Sequence, residues 1–262
     1  MEFVGQTALI TGASTGIGAV FARQFAARGA HLILVARSED RLRALAAELS
    51  AAHGVTVDVL ATDLTRPGAG ADLADRVAAL GRSVDVLVNN AGFATHGDVA
   101  QADPDRLLEQ IQLNCTAVVD LTTRFLPAMT TRHRGAIINV ASTTGFQPIA
   151  HMAVYAASKA FVLSFTEALW SETKPHGVNV IALCPGATDT PFFTVVAAEE
   201  ASFGKRRTPE QAVATALRGL AQGKPSVVDG TTNALLARTQ RFLPHRTVLT
   251  IAERTVRPRN AA

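Results

Sequence analysis

The 262-residue chain is predicted to form an α/β fold in which a doubly wound parallel sheet is flanked by helices. Short apolar runs alternate with longer amphipathic ones, and this strand–helix alternation is typical of such sheets. Most of the short runs are continuously apolar, as expected of strands that are buried on both faces. A glycine-rich turn joins the first run directly to the first amphipathic segment.

Seven runs are predicted as strands. Each is short, rich in valine, isoleucine, leucine or alanine, and bounded by polar or glycine-containing segments. In chain order they are Thr7–Ile10, His31–Ala36, Val55–Ala61, Val84–Val88, Ala136–Val140, Val178–Leu183 and Ser226–Val228.

Helices are predicted between these strands because apolar residues recur there at three- and four-residue spacing. Asp103 and Pro104 supply an N-cap and a first-turn proline for a long helix. After Gly230 two further helices are expected, broken by Pro244. The other helices are predicted over Ile17–Arg28, Arg41–Ala52, a segment containing Leu73, Val77 and Leu80, Asp103 toward Arg132, and Val154–Thr173.

Composition excludes several classes of protein. Hydrophobic residues make up 48% of the chain and charged residues 18%, which suits a sizeable core and not a disordered chain. The net charge of +3 is modest and no polybasic run with interleaved aromatic residues occurs, so no nucleic-acid partner is expected. Cys115 and Cys184 lie outside any metal-ligand spacing, so no metal is expected. Without a basic leader or a run of transmembrane length, a cytoplasmic location is expected.

Positive charge is concentrated near the end of the chain. From Arg238 to Arg259 there are six arginines and a single acid, Glu253, so this tail carries a charge of +5. One interpretation is a solvated helical face. The alternative is contact with a membrane surface or with an acidic carrier protein.

The glycine-rich turn contains Gly12, Gly16 and Gly18 between the first strand and the first helix. Glycine permits a tight turn and lets the backbone approach a pyrophosphate, while the helix N-terminus offers free N–H groups and a positive dipole. The spacing in this strand–turn–helix context predicts a dinucleotide-binding turn.

The end of the second strand indicates which dinucleotide binds. An acid at that point would accept hydrogen bonds from the ribose 2′-hydroxyl of NAD. Here the strand ends at Ala36 and is followed by Arg37, whose guanidinium could pair with a 2′-phosphate. NADP(H) is therefore predicted in preference to NAD(H), although Arg37 could also simply solvate the strand end.

The only tyrosine of the chain, Tyr155, precedes Lys159 by one helical turn. Residues four apart on a helix share a face, so the phenol and the ammonium should enter the same space. A fixed ammonium favours the phenolate and should lower the tyrosine pKa from about 10. The alternative is that Tyr155 is an aromatic residue of the core.

The glycine turn, the later Asn89–Gly92 segment and the Tyr155-x-x-x-Lys159 pair together resemble the short-chain dehydrogenase/reductase family, in its short single-domain branch. The resemblance covers about residues 5–230. It implies a Rossmann-type sheet of seven strands, a nicotinamide cofactor, and hydride transfer between an alcohol and a carbonyl. It also implies pairing through the two long helices into a homodimer or homotetramer.

The resemblance assigns a catalytic group of Asn114, Ser142, Tyr155 and Lys159. Tyr155 would be the acid in reduction and the base in oxidation, and Ser142 would hydrogen-bond the substrate oxygen. Lys159 would lower the tyrosine pKa and hold the nicotinamide ribose, while Asn114 would position a water. The residues expected to bind the cofactor are Gly12, Ser14, Thr15, Gly16, Ile17, Gly18, Arg37, Asp63, Leu64, Asn90, Ala91, Gly92, Tyr155, Lys159, Pro185, Gly186 and Thr188.

With no low-complexity linker, residues 1–262 are predicted to form one domain. Residues 1–150 are mainly cofactor-binding, 185–207 form a substrate lid and 231–262 a helical extension. The substrate pocket is expected to contain Ser142, Phe93, Phe146, Met152, Phe192 and Phe193. Such an apolar pocket suits a hydrophobic ketone, aldehyde or acyl chain, and leaves fatty-acyl or steroid-like ketones and small aromatic carbonyls both open.

The expected activity is an NADP(H)-dependent oxidoreductase that acts on a small molecule with an alcohol or carbonyl group. The alternative is a regulatory protein that binds NADPH without turnover. The complete group of four catalytic residues disfavours this alternative, because a sensor has no need of a proton-transferring pair.

Overall fold

The computed structural model describes residues 2–192, 196, 206–239 and 242–257. Within them the chain forms one parallel sheet of seven strands in the order β3-β2-β1-β4-β5-β6-β7, which confirms the predicted fold. The strands are β1 Thr7–Thr11, β2 His31–Val35, β3 Val57–Val59, β4 Val86–Asn89, β5 Gly135–Val140, β6 Val178–Cys184 and β7 Ser226–Val228.

Helices cover both faces of the sheet. In the described residues they are α1 Gly16–Ala26, α2 Glu39–His53, α3 Ala69–Ala79, α4 Pro104–Ile111, α5 Ala117–Thr131, α6 Ala153–Thr173, α7 Pro209–Ala221, α8 Thr231–Thr239 and α9 His245–Val256. The extra C-terminal helices α8 and α9 were both predicted, and Pro244 lies at the start of the second. None of the described helices is long and apolar enough to cross a membrane.

The continuous apolar runs are explained by burial on both faces of the sheet. In β1, Ala8 and Ile10 pack in the core beneath α1, α2 and α7, whereas Leu9 between them packs in the core on the side of α3, α5 and α6. All three residues have no exposed surface. Side chains alternate along a strand, so a strand with a hydrophobic layer on each face needs apolar residues at every position.

The predicted strand Val55–Ala61 is longer than the observed β3. This strand is at the edge of the sheet and pairs only with β2, from Leu32 opposite Val57 to Leu34 opposite Val59. Its three residues are only partly buried. An edge strand lacks a second neighbour to hold its ends in the ladder, which shortens it relative to its apolar pattern.

The long helix predicted from Asp103 is divided into α4 and α5. The Asp103 side chain accepts a hydrogen bond from the Asp105 amide at 3.0 Å, as an N-cap does, and Pro104 begins the first turn. A π-helical turn over Gln112–Thr116 interrupts the helix and contains the predicted catalytic Asn114. Such turns often lie at functional sites.

The strand order creates the place for a site. From β1 the chain runs outward through β2 to β3, and then returns to place β4 on the other side of β1. At this reversal the loops after β1 and β4 diverge, and a crevice forms at the carboxyl ends of the strands. The glycine turn follows β1, and the Asn90–Gly92 loop follows β4.

Buried amides connect this edge of the sheet to α6, the helix that carries Tyr155 and Lys159. Asn89 on β4 donates to the side-chain oxygen of Asn139 on β5 at 2.9 Å. Asn139 in turn donates to the hydroxyl of Thr166 on α6 at 2.9 Å. All three side chains are buried, so these bonds fix the position of α6 against the sheet.

Candidate active site

The glycine turn has the conformation that its sequence requires. Gly12 and Gly16 have φ angles of 65° and 56°, in the left-handed region that favours glycine. A Cβ atom on Gly18 would lie 2.3 Å from the carbonyl oxygen of Gly12, which shows why no larger residue fits there. Thr15 at the N-cap of α1 makes no side-chain hydrogen bond to the helix, so no capping side chain covers its first N–H groups.

Asn90 braces this turn from the neighbouring strand. Its side-chain amide donates to the carbonyl oxygens of Thr11 and Gly12 at 2.9 and 3.3 Å. The Thr11 hydroxyl accepts from the Asn90 and Ala91 amides, both at 3.0 Å. Asn90 was predicted as a cofactor ligand, and these bonds give it a supporting position as well. Thr11 was missed, because a threonine at a strand end has no distinctive signal.

A cleft of about 400 Å³ opens at the carboxyl ends of the strands. It brings together most residues that the sequence predicted, from the glycine turn to the catalytic group. Of the predicted cofactor and catalytic residues it is lined by Gly12, Ser14, Thr15, Gly16, Ile17, Arg37, Asp63, Leu64, Asn90, Ala91, Gly92, Ser142, Tyr155, Lys159, Pro185, Gly186 and Thr188. Gly18 and Asn114 do not line it, because each lies behind a lining loop.

Tyr155 and Ser142 form the polar centre of the cleft. Tyr155 is 8% exposed and Ser142 is 6% exposed. Burial raises the pKa of Tyr155 to about 12, against the lowering effect of a hydrogen bond from Ser142. The expected lowering of this pKa is therefore not observed, because burial removes the water that would stabilise a phenolate.

Ser142 is oriented by the backbone that follows it. Its hydroxyl oxygen accepts a hydrogen bond from the Thr144 amide at 3.1 Å, at the start of a short 3₁₀ turn over Thr143–Phe146. With its oxygen engaged in this way, the hydroxyl can direct its proton toward Tyr155 or toward another oxygen in the cleft.

Lys159 lies one turn after Tyr155 but its ammonium points to the sheet. Its Nζ donates to the Val140 carbonyl at 2.8 Å and lies 5.8 Å from the centre of the tyrosine ring. Burial lowers the pKa of Lys159 to about 8, and the nearby Cys115 and Cys184 act in the opposite direction. A Cβ atom on Gly92 would lie 3.5 Å from Nζ, so this glycine leaves room for the ammonium.

The lowered pKa of Lys159 predicts an alkaline limit for any reaction in which the neighbouring Tyr155 transfers a proton. The ammonium is charged below about pH 8 and neutral above it, so its charge near Tyr155 is lost as the pH rises. Activity of the natural protein should therefore fall as the pH passes about 8. In Lys159→Arg the fall should move to higher pH, because a guanidinium stays charged.

Titration of Nζ by ¹⁵N NMR provides a direct check on this assignment. Lys174, which lies outside the cleft and contacts Trp170, serves as the comparison. A Lys159 ammonium that stayed charged up to pH 10, or an identical alkaline fall in natural and Lys159→Arg proteins, would contradict the prediction.

Asn114 has no exposed surface and lies behind the cleft. Its amide nitrogen donates to the Phe93 carbonyl and to the Ser158 hydroxyl, both at 3.0 Å. The Ser158 hydroxyl donates to the Tyr155 carbonyl at 2.7 Å. The Asn114 side chain thus connects the π-helical turn to the helix that holds Tyr155. Ser158 was not predicted.

The far end of the cleft is positively charged. Arg37 is exposed and makes no ion pair within the described ranges. Asp63 also lines the cleft, and burial alone would raise the pKa of its carboxyl group. Hydrogen bonds from Thr65, together with the positive charges of Arg37 and Arg66, outweigh this effect and hold the Asp63 pKa below its usual value. Arg41 also lines this end and was missed, since an arginine in the first turn of a helix is an ordinary surface residue.

Apolar side chains line the other end of the cleft. Of the predicted substrate residues, Phe93, Met152 and Phe192 line it, and the Phe192 ring lies 5.7 Å from that of Tyr155. Phe146 does not, because it packs into a buried cluster containing Val118 and Val162. Phe193 lies outside the described residues.

The segment after β6 is held in place by contacts at the base of the predicted lid. Thr188 forms a parallel bridge with Arg207, and Arg207 pairs with the fully buried Asp229 at 2.6 Å. Asn233 of α8 lies against Gly186, where a Cβ atom would come within 2.4 Å of its amide nitrogen. Neither Asp229 nor Asn233 was predicted, because their partners are distant in sequence.

The described part of the chain contains no group of three histidine, cysteine, aspartate or glutamate side chains that could hold a metal ion. The two cysteines are unpaired thiols. Burial raises the pKa of both Cys115 and Cys184, so neither has the character of a reactive thiolate.

Comparison with known proteins relates this arrangement to a family. A family model described as short chain dehydrogenase matches residues 6–201. The very-long-chain 3-oxoacyl-CoA reductase of Phaeosphaeria nodorum is 38% identical over 180 residues, covering 67% of this chain and 53% of that protein. This chain thus spans about half the length of that relative.

Two solved structures are similar over nearly the whole chain. A short-chain dehydrogenase from Sphingobium yanoikuyae, in complex with NADPH, has a TM-score of 0.83 and 36% identity over 98% of both chains. The bulky-bulky ketone specific alcohol dehydrogenase from Comamonas testosteroni has a TM-score of 0.77 and 30% identity over 98% of this chain and 96% of that one. With the family model matching most of its length, the chain belongs to the short-chain dehydrogenase family and is an oxidoreductase acting on alcohols and carbonyl compounds.

Proposed function

We propose that the protein is an NADPH-dependent reductase of apolar ketones or aldehydes in which Tyr155 donates the proton. The observation that carries the proposal is the buried pair of Tyr155 and Ser142, located between a phosphate-binding turn and an apolar end of the same cleft. A protein that reduces a carbonyl needs these three parts next to one another: a place for the dinucleotide, a proton donor and a pocket for the substrate.

The turn and the charged end of the cleft fit NADP(H). Gly12, Gly16 and Gly18 leave the backbone open to a pyrophosphate, beside the uncapped start of α1. Arg37 and Arg41 line the position expected for the adenosine ribose, and neither makes an ion pair within the described ranges. A 2′-phosphate would supply a negatively charged partner for these two guanidinium groups.

Replacing Arg37 with alanine should raise KM for NADPH about 10- to 100-fold, because a charge-assisted hydrogen bond contributes about 1.5–3 kcal/mol. The KM for NADH should change little, since NADH has no 2′-phosphate. Steady-state kinetics with both cofactors and one ketone measure the ratio. Arg43→Ala is the matched control, because Arg43 is on the same helix as Arg41 but pairs with Glu39 outside the cleft. An unchanged ratio in Arg37→Ala would refute the assignment.

The proposed reaction proceeds by the following steps. When bound, a nicotinamide would supply a hydride from C4 to the carbonyl carbon. Ser142 donates a hydrogen bond to the carbonyl oxygen and stabilises the negative charge that develops on it. Tyr155 transfers its phenolic proton to the same oxygen, and its raised pKa of about 12 keeps that proton in place at neutral pH.

Lys159 and Asn114 have supporting roles in this proposal. The ammonium of Lys159 is near enough to Tyr155 to stabilise the phenolate left after proton transfer, and it could also hold a ribose hydroxyl. The Asn114 side chain is engaged with Phe93 and Ser158, so a relay through a water would use another part of this residue, its backbone carbonyl.

The substrate proposed is a ketone or aldehyde with an apolar substituent. Phe93, Met152 and Phe192 line the same cleft as Tyr155 and Ser142, and the Phe192 ring lies next to the tyrosine ring. The Comamonas enzyme is named for bulky ketones, which supports the larger members of this class. Oxidation of NADPH followed against ketones and aldehydes graded by chain length and ring size tests the proposal.

The same measurement tests the regulatory alternative. A sensor would bind NADPH tightly and oxidise it with none of the carbonyl compounds. The polar pair of Tyr155 and Ser142 favours the enzyme, because cofactor binding alone requires neither hydroxyl next to an apolar pocket.

A homodimer or homotetramer is proposed as the working form, in the cytoplasm. Large apolar side chains are exposed on the helices expected to pair: Leu108 and Ile111 on α4 are 62% and 42% exposed, and Phe161 on α6 is 43% exposed. Exposed apolar surface on neighbouring helices suits contact with a second copy.

A further inference from the structure

One residue in the last turn of α9, Val256, is fully buried although most of the residues around it in the chain are exposed. Val256 has no exposed surface, whereas Leu243 and Ile251 before it are 49% and 54% exposed. Val256 belongs to the same buried apolar cluster as Tyr155 and Met152. The end of the described chain therefore shares one buried apolar cluster with Tyr155 and with Met152, a residue that lines the cleft.

Two loops of the cleft hold this turn in place. His96, three residues after Phe93, lies with Nε2 2.7 Å from the Val256 carbonyl oxygen. Since a carbonyl can only accept, His96 is the donor and has its proton on Nε2. The second loop contains His151, directly before Met152. Its Nε2 lies 3.7 Å from the Glu253 carboxylate of α9.

The second loop is itself bonded to the first, at the two residues that follow His96. His151 Nδ1 lies 2.6 Å from the Asp98 carboxylate, and the His151 carbonyl accepts from the Gly97 amide at 2.8 Å. The backbone of His151 has a φ of 60°, which is unusual for a residue other than glycine. Glu253 pairs with Arg257 at 2.6 Å. These contacts link α9, the His96 loop and the His151 loop to one another.

Val196 shows that the predicted lid reaches the same place. It is 9% exposed and belongs to the cluster with Val256, and Phe192 packs against this cluster. Thus three separate parts of the chain meet beside Tyr155: the lid, the loop before α6 and the end of α9.

We propose that Val256 is a specificity-determining positioning residue that sets the width of the substrate pocket by supporting Met152 and Phe192, with His96 holding it in place. The proposal rests on the carbonyl reductase function proposed above. It assigns to the C-terminal extension the role of the outer wall of the pocket. Removing methyl groups behind Met152 lets it retreat, so a bulkier substituent fits next to the reacting carbonyl.

The test uses the 262-residue chain with NADPH and a series of alkyl ketones, from 2-butanone to ketones with two bulky substituents. In Val256→Ala, the ratio of kcat/KM for bulky over small ketones should rise about 10-fold, mainly through KM, because one methylene in an apolar pocket changes selectivity by at least this factor. Val256→Ile should lower the same ratio. The dissociation constant for NADPH should not change in either variant.

The matched control is Ile251→Ala, on the exposed side of the same helix, which should keep the natural ratio. His96→Ala should shift the ratio in the direction of Val256→Ala, and His96→Gln, which retains an N–H donor, should restore it. Natural selectivity in both Val256 variants and in His96→Ala would overturn the proposal. Because Val256→Ile adds volume and Val256→Ala removes it, the failure of one variant to fold leaves the other as the test.

The two proposals fail in different ways. If the natural protein oxidised NADPH with none of the ketones, the reductase function would be wrong. Binding of the same ketones to the NADPH complex, measured by saturation-transfer NMR in natural and Val256→Ala proteins, would then still decide the role of Val256.

Discussion

Replacing Tyr155 with phenylalanine should lower kcat for ketone reduction by about 10²- to 10⁴-fold, the usual contribution of a positioned general acid. The substitution removes only the hydroxyl. The ring contact with Phe192 and the packing with Met152 and Val256 can remain, so the fold should be retained. Because the glycine turn and Arg37 are unchanged, the dissociation constant for NADPH should stay close to that of the natural protein.

Three measurements separate loss of the proton donor from general damage. Fluorescence titration gives NADPH binding, thermal unfolding gives stability, and single-turnover kinetics give the chemical step. Phe192→Leu alters a neighbour of the tyrosine ring without removing a proton donor and should cost much less in kcat. If Tyr155→Phe bound NADPH normally and retained more than a few per cent of kcat, Tyr155 would not be the acid.

The pKa of Tyr155 also predicts how the two directions of the reaction respond to pH. With a pKa of about 12, the hydroxyl remains protonated and ready to donate throughout the neutral range. Oxidation of an alcohol needs the ionised phenolate instead, so it should be slower at neutral pH and increase as the pH rises toward that pKa. Reduction is therefore the direction expected to be faster at neutral pH.

The strands and helices could be predicted from the sequence because each depends on the pattern of apolar residues within its own segment. Successive apolar residues of β1 and β2 face the two buried layers in turn, and the helices between the strands have one apolar face. Both patterns depend only on which faces are buried. The glycine positions could also be predicted from a local pattern. The turn brings the Gly12 carbonyl so close to the start of α1 that no side chain fits at Gly18.

What the sequence could not predict depends on contacts between distant segments. The i, i+4 spacing placed Tyr155 and Lys159 on one face, but Lys159 turns to the Val140 carbonyl on another element. The direction of the Tyr155 pKa was predicted incorrectly, because neither helix spacing nor composition shows that Tyr155 is buried in an apolar cluster with Met152 and Val256. The π-helical turn around Asn114 likewise has no sequence signal of its own.

Replacing Ser142 with alanine should lower kcat by about 10²- to 10³-fold, the usual cost of removing one donor to a developing oxyanion. The serine oxygen accepts from the Thr144 amide, so its proton is directed into the cleft, where it bonds to Tyr155. Loss of this bond removes a contact that lowers the tyrosine pKa, so alcohol oxidation should also shift to higher pH. Ser142→Thr keeps a hydroxyl and should retain most of the activity.

A double variant decides whether the two hydroxyl groups act on the same oxygen. If Ser142 and Tyr155 both bond the substrate carbonyl in the transition state, their effects are coupled and the double variant should cost little more than Tyr155→Phe alone. If Ser142 acted only by orienting the loop before α6, the two losses in kcat would multiply, and Ser142→Ala would also weaken NADPH binding. Pre-steady-state kinetics of the four proteins of this cycle separate these outcomes, because they measure the chemical step apart from cofactor release.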